Sequence, residues 1–288
     1  MHYLIIVIGI VAVSFAAIFI RLAGEAPALI IAAYRLAMAV VIMSPYAYKR
    51  VRRQWTNYTA HSLRWNIISG VALAFHFATW IASLKYTSVA SSVVLVTTNP
   101  LFVSLFGWIF LNEKPRKMVI AGIIVSIFGT VIMTTGNGGV SDTRLTGDLL
   151  ALAGAVFASI YLLTGRSLRQ TISATAYSYV AYGTAAVILV LIALIAGLPW
   201  TGYSPTTYLM FLLLAVVPQI IGHTSFNYAL KYVPAVIVAI VILGEPIGAS
   251  FLAWIFLGEA VRQSTFLGGG LILVGVFLAV YTQERRKK

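Results

Sequence analysis

Polar residues in this 288-residue chain fall in bunches, and the stretches between the bunches are dominated by apolar side chains. Ten such stretches can be marked, at about 3–22, 28–47, 64–84, 87–111, 116–135, 145–164, 172–196, 205–230, 233–257 and 263–281. Each is close to or beyond the ~20 residues that carry an α-helix across a bilayer. The pattern predicts an all-α integral membrane protein of ten transmembrane helices. The longest connection is the basic stretch from Lys49 to Arg64, too short to hold an extramembrane domain.

The order of these stretches repeats. Lys85-Tyr86 recurs as Lys231-Tyr232, Pro100 as Pro246, and Trp108-Ile109-Phe110-Leu111 as Trp254-Ile255-Phe256-Leu257. Glu113 recurs as Glu259, Arg116 as Arg262, Gly122 as Gly268 and Gly129 as Gly275, always 146 positions on. The repeat divides the chain into copies at residues 1–138 and 139–288, with five predicted spans each. Five is odd, so the second copy enters the membrane from the opposite side. Inverted repeats of this kind are a mark of secondary transporters, whose substrate sites lie between the copies.

Composition agrees with membrane immersion, since only 9% of residues are charged against roughly 25% in soluble domains. The net charge of +13 could suggest a nucleic-acid partner, but its distribution argues otherwise. With the N-terminus cytoplasmic, fifteen of the twenty Lys and Arg residues fall on the cytoplasmic side. That is the positive-inside bias, and it places both termini inside. The basic clusters thus read as topology signals and lipid headgroup contacts, with no nucleic-acid partner. The first stretch lacks a basic segment ahead of it and reads as a retained helix rather than a cleaved signal. The chain has no cysteine, which removes disulfide, thiolate and Cys-ligated metal chemistry.

The repeated elements resemble the EamA-like branch of the drug/metabolite transporter superfamily. The residues carrying the likeness are Pro27, Arg35, Pro100, Leu111-Asn112-Glu113, Gly122 and Gly129 in the first copy. In the second they are Glu245-Pro246, Leu257-Gly258-Glu259, Gly268 and Gly275. The resemblance implies ten helices with cytoplasmic termini and the export or exchange of small metabolites. It also implies a central cavity lined by the first, third and fourth helices of each copy, and leaves the substrate open. The second copy has no arginine matching Arg35, which makes that residue's role asymmetric.

Charges inside the bilayer need a reason, because each costs about 2.5–3.5 kcal/mol on insertion scales. Glu245 lies mid-span, 12 residues from Val233 and from Leu257, and Arg35 lies 7 residues after Ala28. At 1.5 Å per residue these are depths of roughly 18 and 10 Å. One reading pairs them as a structural ion pair. The other gives them to a substrate, Arg35 to a carboxylate and Glu245 to an ammonium or a coupling proton. The candidate substrate-binding set is Arg35, Glu245, His76, Trp80, Asn99, Phe15, Tyr161, His223, Phe226 and Asn227. His76, Trp80 and Ser83 share one helix face, as do Gln219, His223 and Asn227. Phe15, Trp80, Tyr161 and Phe226 enter because they fall on helices that the family places around its cavity. Pro100 and Pro246 predict matched mid-span kinks, and are candidate hinges. Glu113 and Glu259 are expected to pair with Arg116 and Arg262.

No paired carboxylates, His-x-x-x-His metal site or serine with a base is present, so the chain reads as a transporter and not an enzyme, without metal or cofactor. The expectation is alternating-access export or exchange of a small metabolite, most simply an amino acid, across a bacterial inner membrane, with protons and membrane lipids as further partners. Alternatives within the superfamily are a lipid or lipid-linked sugar flippase and an organic-cation or drug efflux transporter.

Overall fold

A computed structural model describes residues 2–54, 58–112, 114–135, 142–258 and 263–284. Glu113, Glu259 and Arg262, members of the expected Glu113–Arg116 and Glu259–Arg262 pairs, lie outside these residues, as do the boundary between the copies at 138/139 and the basic C-terminus. The described residues form helices and connections, with no strand among them.

In chain order the helices are α1 (His2–Ser14), α2 (Ala16–Leu22), α3 (Ala28–Gln54), α4 (Ala60–Ser83), α5 (Val89–Val96), α6 (Asn99–Leu111) and α7 (Lys117–Thr135). There follow α8 (Asp142–Leu168), α9 (Ala174–Ile195), α10 (Pro205–Leu214), a π-helical segment (Ala215–His223), α11 (Thr224–Ala229), α12 (Ala235–Ile242), α13 (Glu245–Leu257) and α14 (Gln263–Glu284). Among the described residues, eight continuous or jointed helices are long and apolar enough to cross a membrane. The fifth and tenth predicted stretches fall in α7 and α14, whose described apolar parts are shorter. The basic stretch after Lys49 is less of a loop than expected. Helix α3 carries it to Gln54, and α4 begins at Ala60 behind a Thr59–Ser62 capping box.

Starts and stops follow local chemistry. Ser88, Ser173 and Ser204 accept hydrogen bonds from backbone amides in the first turns of α5, α9 and α10. Asn112 and Gly258, equivalent in the two copies, end α6 and α13 in the left-handed conformation that halts a helix.

Packing repeats as well. Helix α4 lies against α8, and α1 lies against the π segment and α11. Helix α3 lies along α9, and α7 along α14. The last pair meets at equivalent positions: Ser126 Oγ donates to the Ile272 carbonyl at 3.3 Å across 146 residues. A Cβ on Gly129 would sit 2.8 Å from Leu271 Cβ, and one on Gly275 would run into Ser126 and Gly122, so only glycine permits this approach.

Cations tie the connections down. Lys85 Nζ donates to the Ala26 carbonyl at 2.7 Å, and Arg169 caps the equivalent carbonyl, Ile172. Arg21 holds Thr87 O at 3.0 Å, while Arg166 holds Leu230 O at 2.8 Å. Glu25 accepts from Ser204 N at 2.7 Å and from Ser204 Oγ at 2.8 Å, fastening the α2–α3 turn to the start of α10. Hydrogen bonds from Thr207 and Ser204 hold the Glu25 carboxyl below the usual carboxylate range.

Candidate functional site

Three helical spans are broken near their middles, and the breaks face one another. The turns at 97–98 and 243–244 separate α5 from α6 and α12 from α13. Pro100 and Pro246 therefore sit in the first turn of a new half-helix, where a missing N–H is harmless, rather than inside a bent one. At each, the α-helical hydrogen-bond pattern is interrupted for two residues while the backbone stays near helical. Each is closed by a tight bond at matching positions, Leu101 N to Thr98 O at 3.1 Å and Ile247 N to Gly244 O at 3.2 Å. The third break lies at Phe15, between α1 and α2. Half-helices put partial helix-dipole charge deep in the protein, positive at the starts of α6 and α13. Asn99 opens the first and Glu245 the second.

Around these breaks lies a cavity of about 50 Å³. Eight of the ten sequence candidates line it: Arg35, His76, Trp80, Asn99, Tyr161, His223, Phe226 and Glu245. Four lining pairs are equivalent in the two copies, namely Ala16 with Leu162, Trp80 with Phe226, Val96 with Ile242, and Asn99 with Glu245.

Arg35 is fully buried on α3. Its Nε donates to Gln219 Oε1 at 2.8 Å, and its guanidinium carbon lies 4.0 Å from the centre of the Phe77 ring. The terminal nitrogens Nη1 and Nη2 have no partner. Arg35 makes no ion pair with Glu245, although both line the cavity. Trp80 Nε1, Asn99 Oδ1 and Gln219 Nε2 are likewise buried without partners. Such clusters are uncommon in a finished core, where buried polar groups are hydrogen-bonded.

The π-helical segment explains how Gln219 reaches Arg35. Pro218 has no N–H to give to the preceding turn, and the helix widens around it. An α-helical stripe through Gln219, His223 and Asn227 is thereby dispersed. Gln219 goes to Arg35, His223 to the cavity wall, and Asn227 behind that wall.

The walls are aromatic. His76 stacks on Trp80 with centroids 5.9 Å apart and planes 9° apart, and the His223 ring lies 6.3 Å from His76 and 6.2 Å from Phe226. His76 Nδ1 faces the Gly154 carbonyl at 3.0 Å; a carbonyl only accepts, so Nδ1 carries the proton. Among the described residues, no three His, Asp or Glu side chains converge as metal ligands would.

The structure moves two candidates out of the site. Phe15 stacks on Phe19 at 5.6 Å and lies 6.5 Å from the exposed Phe256, while Val13 and Ala16, on another face of the same span, line the cavity instead. Asn227 is fully buried and spends its Nδ2 on Tyr161 Oη at 2.5 Å, Ser178 Oγ at 2.8 Å and Tyr182 Oη at 3.3 Å. It supports the wall and does not line it. The small apolar liners Val13, Ala16, Val96, Leu162 and Ile242 carry no chemical signal that sequence reasoning could have used.

The family model of the EamA-like transporter family matches the chain twice, over residues 1–135 and 145–281. The chain belongs to the EamA-like transporter family. Its relatives include an uncharacterized transporter of Clostridium kluyveri, 25% identical over 83% of this chain and 78% of that one. Another, from Archaeoglobus fulgidus, is 26% identical over 76% and 75% of the two chains. The uncharacterized transporter YwfM of Bacillus subtilis is 24% identical over 81% and 80%. A crystal structure at 18% identity superposes with a TM-score of 0.77, covering 100% of this chain and 99% of the other, a likeness of fold. As an EamA-like protein, the chain is a multi-pass membrane protein of transporter kind, whose family implies a small-molecule substrate.

Proposed function

We propose that this EamA-like protein is a secondary transporter that exports or exchanges an amino acid across a bacterial inner membrane by alternating access. In this reading residues 1–138 and 139–288 are inverted five-helix repeats of a ten-helix bundle with both termini cytoplasmic. The matched half-helices, the equivalent cavity liners and the contact of α7 with α14 at equivalent positions support it.

The observation that carries the substrate assignment is the state of Arg35. Its fully buried guanidinium keeps two unpartnered nitrogens beside a cavity that also holds the unpaired Glu245 carboxylate. A carboxylate on Nη1 and Nη2 would form the forked pair that guanidinium groups favour, beside the positive end of α6. An ammonium would meet Glu245 on the opposite side. Glu245 can instead exchange the ammonium for a proton, which couples transport to the proton gradient. The aromatic walls suit an apolar side group. Small-molecule sites usually span ~300–1,000 Å³, so the cavity here must widen to admit a solute, and the half-helices at Pro100 and Pro246 are the elements proposed to move.

Counterflow into proteoliposomes loaded with amino acids, their amides, an organic cation and a nucleobase tests the reading. Exchange of amino acids with loss of the amides is the expected result. Exchange of the cation alone would remove the carboxylate role of Arg35 and with it the substrate class.

A further inference from the structure

Arg35 is held in the cavity wall by a neutral amide and not by a carboxylate. Gln219 Oε1 accepts from Arg35 Nε at 2.8 Å, and both side chains are fully buried. A guanidinium offers a carboxylate two edges, one made by Nε with a single Nη and one made by Nη1 with Nη2. The bond to Gln219 takes Nε and so closes the first edge. Phe77, its ring centre 4.0 Å from the guanidinium carbon, covers one face. What is left is the Nη1–Nη2 edge, whose nitrogens are buried without partners. The backbone around Gln219 is itself fixed. Tyr182 Oη donates to the Gln219 carbonyl at 3.4 Å. Gly222 lets α1 lie against the π segment, since a Cβ there would stand 2.6 Å from Val13 Cγ1. In an α-helix Gln219 would share a face with His223, which lines the cavity. The wider turns around Pro218 send Gln219 to Arg35 instead. The pair joins the two copies, and its counterpart positions, Ala181 and Leu73, carry neither group. Pro218 likewise corresponds to Ala72, inside the uninterrupted α4.

We propose that Gln219 is a positioning residue that sets selectivity for acids: it presents the Nη1–Nη2 edge of Arg35 to the solute and leaves the guanidinium charge for the solute's carboxylate. The role rests on the reading of Arg35 as the carboxylate site. Gln219 is not among the residues lining the cavity, so it acts through Arg35. Its neutrality matters as much as its bond. A glutamate at 219 would hold Nε equally well, but it would bring a charge of its own and satisfy the guanidinium with no solute present. An aliphatic residue would leave the charge free and the fork loose, because Nε would have no acceptor and either edge could turn to the cavity. An amide accepts from Nε and leaves the charge uncompensated. Its orientation follows from the same chemistry: a guanidinium only donates, so Oε1 faces Arg35 and Nε2 points away from it.

The test is counterflow by the full chain in proteoliposomes loaded with leucine, phenylalanine or methionine, or with the amide of each, together with the Tm of each variant. Gln219→Glu keeps an acceptor of nearly the same shape on Nε and should leave the fold intact, read by Tm. Its apparent affinity for the acids should nevertheless fall about thirtyfold or more, while the amides, which carry a net positive charge, are spared or favoured. Gln219→Leu should weaken the acids about tenfold and the amides less. A packing role alone would give the opposite order, with Gln219→Glu normal in transport and Gln219→Leu losing acids and amides equally; that result overturns the proposal. The two readings fail separately. An unaltered chain without acid preference, or a preference that survives Arg35→Met, removes the carboxylate site and the role of Gln219 with it. A preference lost in Arg35→Met but kept in Gln219→Glu overturns the role of Gln219 alone.

Discussion

Replacing Arg35 with methionine separates a substrate-binding arginine from a structural one. A guanidinium at bilayer depth costs about 2.5–3.5 kcal/mol against an apolar residue. Its Gln219 hydrogen bond, as a bond to a charged group, returns about 1.5–3 kcal/mol, and the Phe77 ring about 0.5–2 kcal/mol. These terms cancel to within about 2 kcal/mol, the desolvation of the unpartnered Nη1 and Nη2 being already contained in the insertion cost. Arg35→Met is therefore expected to shift denaturant unfolding in mixed micelles by no more than about 2 kcal/mol in either direction. Its effect on transport should be much larger. Truncating one partner of a desolvated charge pair costs about 2–5 kcal/mol, or roughly 30-fold to several-thousand-fold in apparent affinity. Counterflow should show that loss for an amino acid and spare its amide. Destabilisation beyond about 3 kcal/mol, with equal loss for acid and amide, would refute the reasoning and return Arg35 to a structural role.

Other expectations follow from single contacts. Gly129→Leu forces α7 away from α14 and should lower stability by about 1–3 kcal/mol or more, read as a fall in Tm. Asn227→Leu leaves the Tyr161 and Ser178 hydroxyls without their donor and should cost about 1–3 kcal/mol, with transport reduced through the displaced Tyr161 wall. Glu25 has a depressed folded-state pKa, so its contribution is present above the ordinary carboxylate value of 4.5 and is lost as pH falls through the lower folded value. The Tm of the unaltered chain should drop across that acid window, and Glu25→Gln should remove that part of the drop. Pro246→Ala restores the missing backbone donor at the α12–α13 break and should slow turnover while leaving substrate binding in place.

Much of this was legible in the sequence because membrane immersion leaves a strong signal. The apolar stretches, the 146-residue repeat and most cavity residues could be named from composition and spacing, since a charge or histidine at bilayer depth demands a partner or a cavity. What stayed hidden depends on how backbone and lipid share each helix. Phe15 looks like a cavity aromatic, but it stacks on Phe19 near Phe256 while Val13 and Ala16 take the cavity face. Gln219 and Asn227 look like neighbours on one face until Pro218 widens the helix between them. Proline marks a disturbance in both Pro100 and Pro246, but residue type alone does not separate a kink from a break. The roles of Arg166, Arg169 and Lys85 as carbonyl caps were masked by the general excess of basic residues, which reads as topology alone.

Equivalent carbonyls at Ala26 and Ile172 are capped by cations that are not themselves equivalent, Lys85 in one copy and Arg169 in the other. On the inverted-repeat reading, exchanging the conformations of the two copies turns one access state into the other. Every interaction that both copies make then appears in both states and drops out of their free-energy difference. Mismatched interactions and positions remain to set which way the protein rests, among them the Lys85 and Arg169 caps, Asn99 against Glu245, and Arg35 against Ala181. Two of these three mismatches reach into the cavity. A solute that engages Arg35 and Glu245 thus touches the terms that fix the resting orientation. For such a protein the ligand site and the directional bias share residues.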